Sequence, residues 1–368
     1  MDPQGGFLKN NHSRRKGMKS IEKKRLWMFI VIAYGVTVLM SLLMIVGKNN
    51  GKDLTAFVNV QMAYPMCGVI LGKLFFREED KKLPMAGYIT VLVTAAIMMV
   101  IAILSVFLPE VMIDNGITEY SNWNIYSQYV LMAGSFVAYI LFWVCGKEKR
   151  ANAGLSRNKV KLSILLVILF FVLYLLRFVI AGLLYDAISG GSNVESLSGS
   201  LMDPAIIRVL IALAINFPLT FIAFMGEEYG WRYYLQPIMQ KKFGLRLGVL
   251  LLGLVWAVWH IFVDYLFYAK ETGLQMFVSQ IITCVAMAIF FGYAFMKTEN
   301  IWTISIMHYI NNNMIAVFAG GDANVLQNQT VTWGMLPIML VQNILFFLFI
   351  LAPVYGKLRK DKEEQKTA

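Results

Sequence analysis

The feature that most constrains this chain is a series of apolar blocks, each about 20 residues long and nearly free of charge. About 20 apolar residues are what a helix needs to cross the ~30 Å hydrocarbon layer of a bilayer. Such blocks are read at 27–46, 54–72, 84–108, 126–146, 162–185, 205–226, 247–268, 274–296, 301–318 and 335–356. The 368 residues are 58% hydrophobic and only 15% charged, with a mean hydropathy of +0.62. An ordinary soluble domain carries about 25% charged residues. The expected fold is therefore all-α, a polytopic transmembrane helical bundle of about ten helices. The first block outruns the ~7–15-residue apolar region of a signal peptide and no A-x-A-like site follows it, so it reads as an anchor that stays.

The net charge of +11 does not point to nucleic acid, because the basic residues alternate loop by loop. Eight precede the first block, from Lys9 to Arg25. Further sets are Lys73 to Lys82, Lys147 to Lys161, Arg232 to Arg246, Lys297, and Lys357 to Lys366. These expected inner segments hold 28 of the 33 Lys and Arg residues; the outer ones hold only Lys48, Lys52 and Lys270. Such a bias orients both termini toward the cytoplasm. It also divides the chain into a basic cytoplasmic tail (1–26), an N-terminal transmembrane extension of about five helices (27–200), a second membrane region (201–356) and a basic C-terminal tail (357–368). The basic arm suits contact with anionic inner-leaflet lipid. Cys67, Cys145 and Cys284 lie far apart inside apolar blocks, with no spacing for a disulfide framework or thiolate metal site.

Strongly polar groups inside membrane helices are costly and are functional-site hypotheses by default. Three clusters stand out in the second half. Gly226-Glu227-Glu228-Tyr229-Gly230-Trp231-Arg232 closes the sixth block. Glu228 and Arg232 are four apart and can pair, while Glu227 points about 100° away, free to face a cavity and suited to a general base. Trp256-Ala257-Val258-Trp259-His260 lies in the seventh block, with Trp256 and His260 on one face. His308-Tyr309-Ile310-Asn311-Asn312 lies in the ninth, with His308 and Asn312 likewise on one face. Taken singly, these read equally as a helix-end charge cluster, a structural histidine and interhelical hydrogen-bond glue. Together they place Glu, His, His and Asn on three helices, toward the cytoplasmic half, with no obvious nucleophile. That set suggests activation of water and stabilisation of an oxyanion, which is hydrolysis.

The order Glu227-Glu228-x-x-x-Arg232, Trp256-x-x-x-His260, His308-x-x-x-Asn312 resembles the CAAX protease and bacteriocin-processing (CPBP, or Abi) family of intramembrane proteases. Its motifs are E-E-x-x-x-R, F-x-x-x-H and H-x-x-x-N. The resemblance spans roughly residues 205–320, marking residues 201–356 as a CPBP-like catalytic core, and departs only in Trp256, where the family often has Phe. It implies a CAAX prenyl protease-like peptidase acting on a hydrophobic or lipidated peptide or protein. Glu227 and His260 would activate the water, and His308 and Asn312 would hold the oxyanion. Glu228 and Arg232 would form a supporting pair, with Trp256 beside them. The family is read both as metalloproteases and as metal-independent, glutamate-dependent enzymes. No H-E-x-x-H is present, so no cofactor is favoured; zinc on Glu227, His260 and His308 is the alternative.

The expected setting is the cell membrane, multi-pass, with the active site toward the cytoplasmic side, and the expected partners are substrate and membrane lipid. Bacteriocin processing or self-immunity suits such a chain as well as prenyl-peptide trimming does. Two other classes compete. One is a non-catalytic scaffold or immunity protein. The other is a proton-coupled secondary transporter using Arg177, Glu227, His260 and His308, with Pro65 and Pro218 marking broken helices.

Overall fold

In lipid, an unpaired backbone amide has no water to turn to, so a chain of apolar blocks folds as helices. The computed structural model is such a bundle, and it describes residues 18–78, 81–114, 116, 118–318 and 323–356. The basic tails before Gly17 and after Gly356 lie outside the described residues, as does His12.

Helix α1 runs over Ser20–Asn49, α2 over Thr55–Phe75, α3 over Met85–Phe107 and α4 over Asn122–Val144. A two-stranded antiparallel hairpin, β1 (Met112–Asp114) and β2 (Glu119–Ser121), links α3 to α4 and pairs Ile113 with Tyr120. Ser121 caps α4 by accepting from the Asn124 amide. The short α5 (Lys147–Ala153) precedes the long α6 (Val160–Ser189), and α7 (Asn193–Met202) follows. Helix α8 (Ile206–Phe243) passes straight through Pro218, so that proline does not break the span. Helices α9 (Leu245–Trp259) and α10 (Ile261–Tyr268) are bent by 44° about His260. Then come α11 (Gly273–Thr298) and α12 (Ile301–Phe318), and a C-terminal run opened by α13 (Met335–Gln342).

Among the described residues, seven helices are long and apolar enough to cross a membrane, eight if the bent α9–α10 pair is one span. The protein is a multi-pass, all-α membrane bundle. Two of the ten expected segments fall short for different reasons. Helix α12 has the length, at 18 residues, but His308 and three consecutive asparagines lower its hydropathy. The segment expected at 335–356 is split into short pieces, Met335–Gln342, Ile344–Phe347, Leu348–Leu351 and Pro353–Tyr355.

Helix α2 is the centre of the bundle: 72% of its apolar window is buried, against 39% or less for α1, α3 and α4. Helix α8 crosses it at unusually close range. A β-carbon at Gly226 would overlap the Met62 carbonyl at the broken turn of α2, and one at Gly230 would overlap Pro65. Gly226 and Gly230 thus form a small-xxx-small stripe that lets two membrane helices touch backbone to backbone. This contact fixes the intervening pair, Glu227 and Glu228, in depth and rotation. Cross-bonds complete the docking of the first helices on the later ones. Trp259 Nε1 donates to the Ala33 carbonyl at 2.8 Å and to Thr37 Oγ1 at 3.0 Å, and Tyr34 donates to the Val255 carbonyl at 2.7 Å.

Candidate active site

The three polar clusters converge on one cavity. It has a volume of about 490 Å³ and is lined by Glu227, Trp256, His260, His308, Asn311 and Asn312 among others. Glu227, Glu228, Arg232, His260 and His308 are all buried, the most exposed being His260 at 8%.

Helix α8 supplies the carboxylates. Immediately after Glu228 its winding widens into a π segment over Tyr229–Leu235, a deformation common where helices carry function. Across that segment Arg232 Nη1 still donates to Glu228 Oε1, at 3.0 Å. The same oxygen accepts from His308 Nδ1 at 2.7 Å, from 80 residues away in sequence. A carboxylate accepting two such bonds anchors both partners, so Glu228 joins α8 to α12. The rest of the Arg232 guanidinium faces aromatic rings: its Cζ lies 4.0 Å from the Trp256 ring centre and 5.1 Å from that of Phe291. Those ring faces stabilise the cation where hydrogen-bond partners are lacking.

Glu227 is not free. Trp256 Nε1 donates to its Oε2 at 2.7 Å, so only Oε1 is left for the cavity. This corrects the expectation of an unpaired carboxylate and gives Trp256 a role that phenylalanine lacks, because indole carries a hydrogen-bond donor.

His260 sits at the break between α9 and α10, and its Nδ1 lies 2.9 Å from the Trp256 carbonyl. A carbonyl only accepts, so the proton is on Nδ1 and Nε2 holds a lone pair. Trp256 therefore positions two groups, Glu227 through its indole and His260 through its backbone. The imidazole of His260 also packs edge-on against Trp259, with centroids 4.9 Å apart. On α12, the Asn311 amide donates to Asn312 Oδ1 at 2.9 Å, leaving Asn312 Nδ2 as a donor. His308 is ringed by Phe224, Trp256 and Phe291 at 5.7, 5.6 and 6.2 Å.

Among the described residues, no three His, Cys, Asp or Glu side chains are grouped to hold a metal ion. Ser279 and Cys284 also line the cavity, but among the described residues neither is hydrogen-bonded to an imidazole. Cys284 instead accepts from Gln280 at 3.6 Å. All three cysteines are free.

Residues 209–314 match the family model described as Rce1-like, type II CAAX prenyl endopeptidase Rce1-like. Over these residues the chain is similar to the CPBP family. No curated protein and no solved structure matches the chain. The CPBP match encloses Glu227, Glu228, Arg232, Trp256, His260, His308 and Asn312, and leaves the first seven helices outside. Two features near the CPBP site escaped the motif reading. Gly226 and Gly230 were legible as a small-xxx-small pair. Asp264, one turn after His260, was legible as a charge inside an apolar block. It is fully buried, and neither carboxyl oxygen has a hydrogen-bond partner among the described residues.

Proposed function

We propose that the protein is an intramembrane endopeptidase that hydrolyses a peptide bond in a lipidated or hydrophobic peptide without a metal. The observation that carries this reading is the division of hydrogen bonds around one cavity. Glu227 Oε1 and His260 Nε2 are left as acceptors, and Asn312 Nδ2 is left as a donor. Water held between Glu227 and His260 gives up a proton to this pair as its oxygen attacks the peptide carbonyl. The oxyanion receives the Asn312 amide, with His308, held by Glu228 through Nδ1, beside it. Collapse of the tetrahedral intermediate breaks the C–N bond, and the departing amine takes the proton that the water released. Glu228 and Arg232 touch no reacting atom; they hold His308 in position.

The alternation of basic residues supports a cell-membrane protein with this cavity toward the cytoplasmic side. The aromatic and apolar walls suit a lipid-modified or apolar chain end. The test is incubation of the purified protein in lipid nanodiscs with an S-farnesylated peptide, reading products by mass, with and without a chelator. Cleavage at one bond that persists under chelation is expected. Cleavage lost on chelation and restored by zinc would replace the metal-free mechanism with a zinc one, and transport or binding without any cleavage would reject the hydrolase.

A further inference from the structure

Arg177 is a charge in a membrane helix that the proposed mechanism leaves unexplained. It lies within the membrane-spanning α6, outside the segment matched by the family model, yet it lines the same cavity as Glu227, His260 and Asn312. Arg232, a buried arginine beside the site, has Glu228 as its partner. Arg177 has none: its Nη1 is buried without a hydrogen bond, and no ion pair reaches it among the described residues. Its guanidinium carbon is 5.6 Å from the Tyr174 ring centre and 5.9 Å from that of Phe178. These rings hold the cation without using its five donors.

The position is set by a neighbour. Tyr174, nearly one turn earlier on α6, donates its hydroxyl to the Asn311 carbonyl at 3.0 Å, which docks α6 against the helix bearing His308 and Asn312. Arg177 therefore lies nearly one helical turn along α6 from the residue that docks it to α12, and it lines the same cavity as His308 and Asn312. Glu227 is the one acidic side chain among the cavity's described lining residues, and Trp256 already engages it. An arginine kept in a membrane helix, facing a cavity and offering an unused planar fork, calls for a planar or tetrahedral oxyanion as its ligand.

We propose that Arg177 binds the free C-terminal carboxylate of the peptide and so sets the distance from the chain end to the bond cut. This rests on the hydrolase reading for its substrate, and it makes Arg177 a specificity residue contributed by the N-terminal helices. A lipid phosphate has the same fork-matching chemistry, so the experiment separates the two sources.

Two S-farnesylated peptides of one sequence, one ending in a free carboxylate and one in an amide, are presented to the full chain in nanodiscs. The wild type is expected to cleave the acid at least tenfold more efficiently in kcat/KM. Arg177→Gln should collapse that ratio toward one, and Arg177→Lys should restore part of it. Binding of both peptides to Glu227→Gln, read by fluorescence anisotropy, should show the same preference, again lost when Arg177→Gln is added. Equal treatment of acid and amide by the wild type, or an equal loss on both with Arg177→Gln, would overturn the anchor. An effect of Arg177→Gln seen only with phosphatidylglycerol and not with phosphatidylcholine, and equal for acid and amide, would assign the site to lipid phosphate and also overturn it. If nothing is cleaved but the acid preference in binding remains, the hydrolase reading fails and the carboxylate anchor stands.

Discussion

In α1 to α4 several buried hydroxyls bond back to their own helix: Ser41 to the Thr37 carbonyl, Thr94 to the Thr90 carbonyl and Ser105 to the Ala102 carbonyl. In α8 to α12 the decisive polar side chains reach across helices, Trp256 to Glu227 and His308 to Glu228. A hydroxyl satisfied by its own backbone can go into lipid at small cost, but it fixes no neighbour. A carboxylate satisfied from another helix fixes both depth and rotation, and it leaves the unused atoms of each group pointing at a shared space. Among the described residues of the first region only α2 lines the cavity, through Val58, Gln61 and Met62, while the second brings Glu227, His260 and His308 to it.

The largest effect should come from breaking the cross-helix hub. Glu228→Ala leaves the buried Arg232 guanidinium without its counter-charge and His308 Nδ1 without its partner, a loss of about 3–5 kcal/mol of stability, readable by thermal unfolding in detergent. Asn312→Ala should lower turnover by about 10²-fold, the scale of one oxyanion donor, with the melting temperature little changed. Trp256→Phe sharpens the point further. It restores the residue the family often carries, keeps the ring and the backbone carbonyl that holds His260, and removes only the bond to Glu227. A bond to a charged group is worth about 1.5–3 kcal/mol, so a fall in kcat of roughly tenfold or more is expected in single-turnover kinetics. The smallest effects belong to the self-bonded hydroxyls: Ser41→Ala and Ser105→Ala should each cost less than ~1 kcal/mol in the same unfolding assay. A comparable loss from either would erase the contrast between the regions.

Much of this was legible in sequence, and what escaped shares a physical cause. Helix existence follows from block length alone, because lipid leaves few alternatives. The four-residue spacings place Glu228 with Arg232, Trp256 with His260, and His308 with Asn312, since each concerns one helix. Contacts between helices have no such periodicity. Nothing local says that the indole of Trp256 donates to Glu227 rather than filling space, or that one oxygen of Glu228 serves both Arg232 and His308. Block length alone overcounts spans: the segment read at 301–318 forms α12 but falls short in hydropathy because it carries His308 and the asparagine run. The Gly226–Gly230 stripe was visible as a spacing, but its partner, the broken turn at Met62, could only be found in three dimensions.

The central claim is that Glu227 acts as the base for a water rather than as part of the scaffold. The most direct measurement is cleavage of a farnesylated peptide by Glu227→Gln in nanodiscs, alongside its melting temperature. Glutamine keeps an acceptor for the Trp256 indole and nearly the same volume, so the fold is expected to melt within a few degrees of the wild type while cleavage falls by about 10²–10⁴-fold. A Glu227→Gln protein that cuts at the wild-type rate would contradict the account.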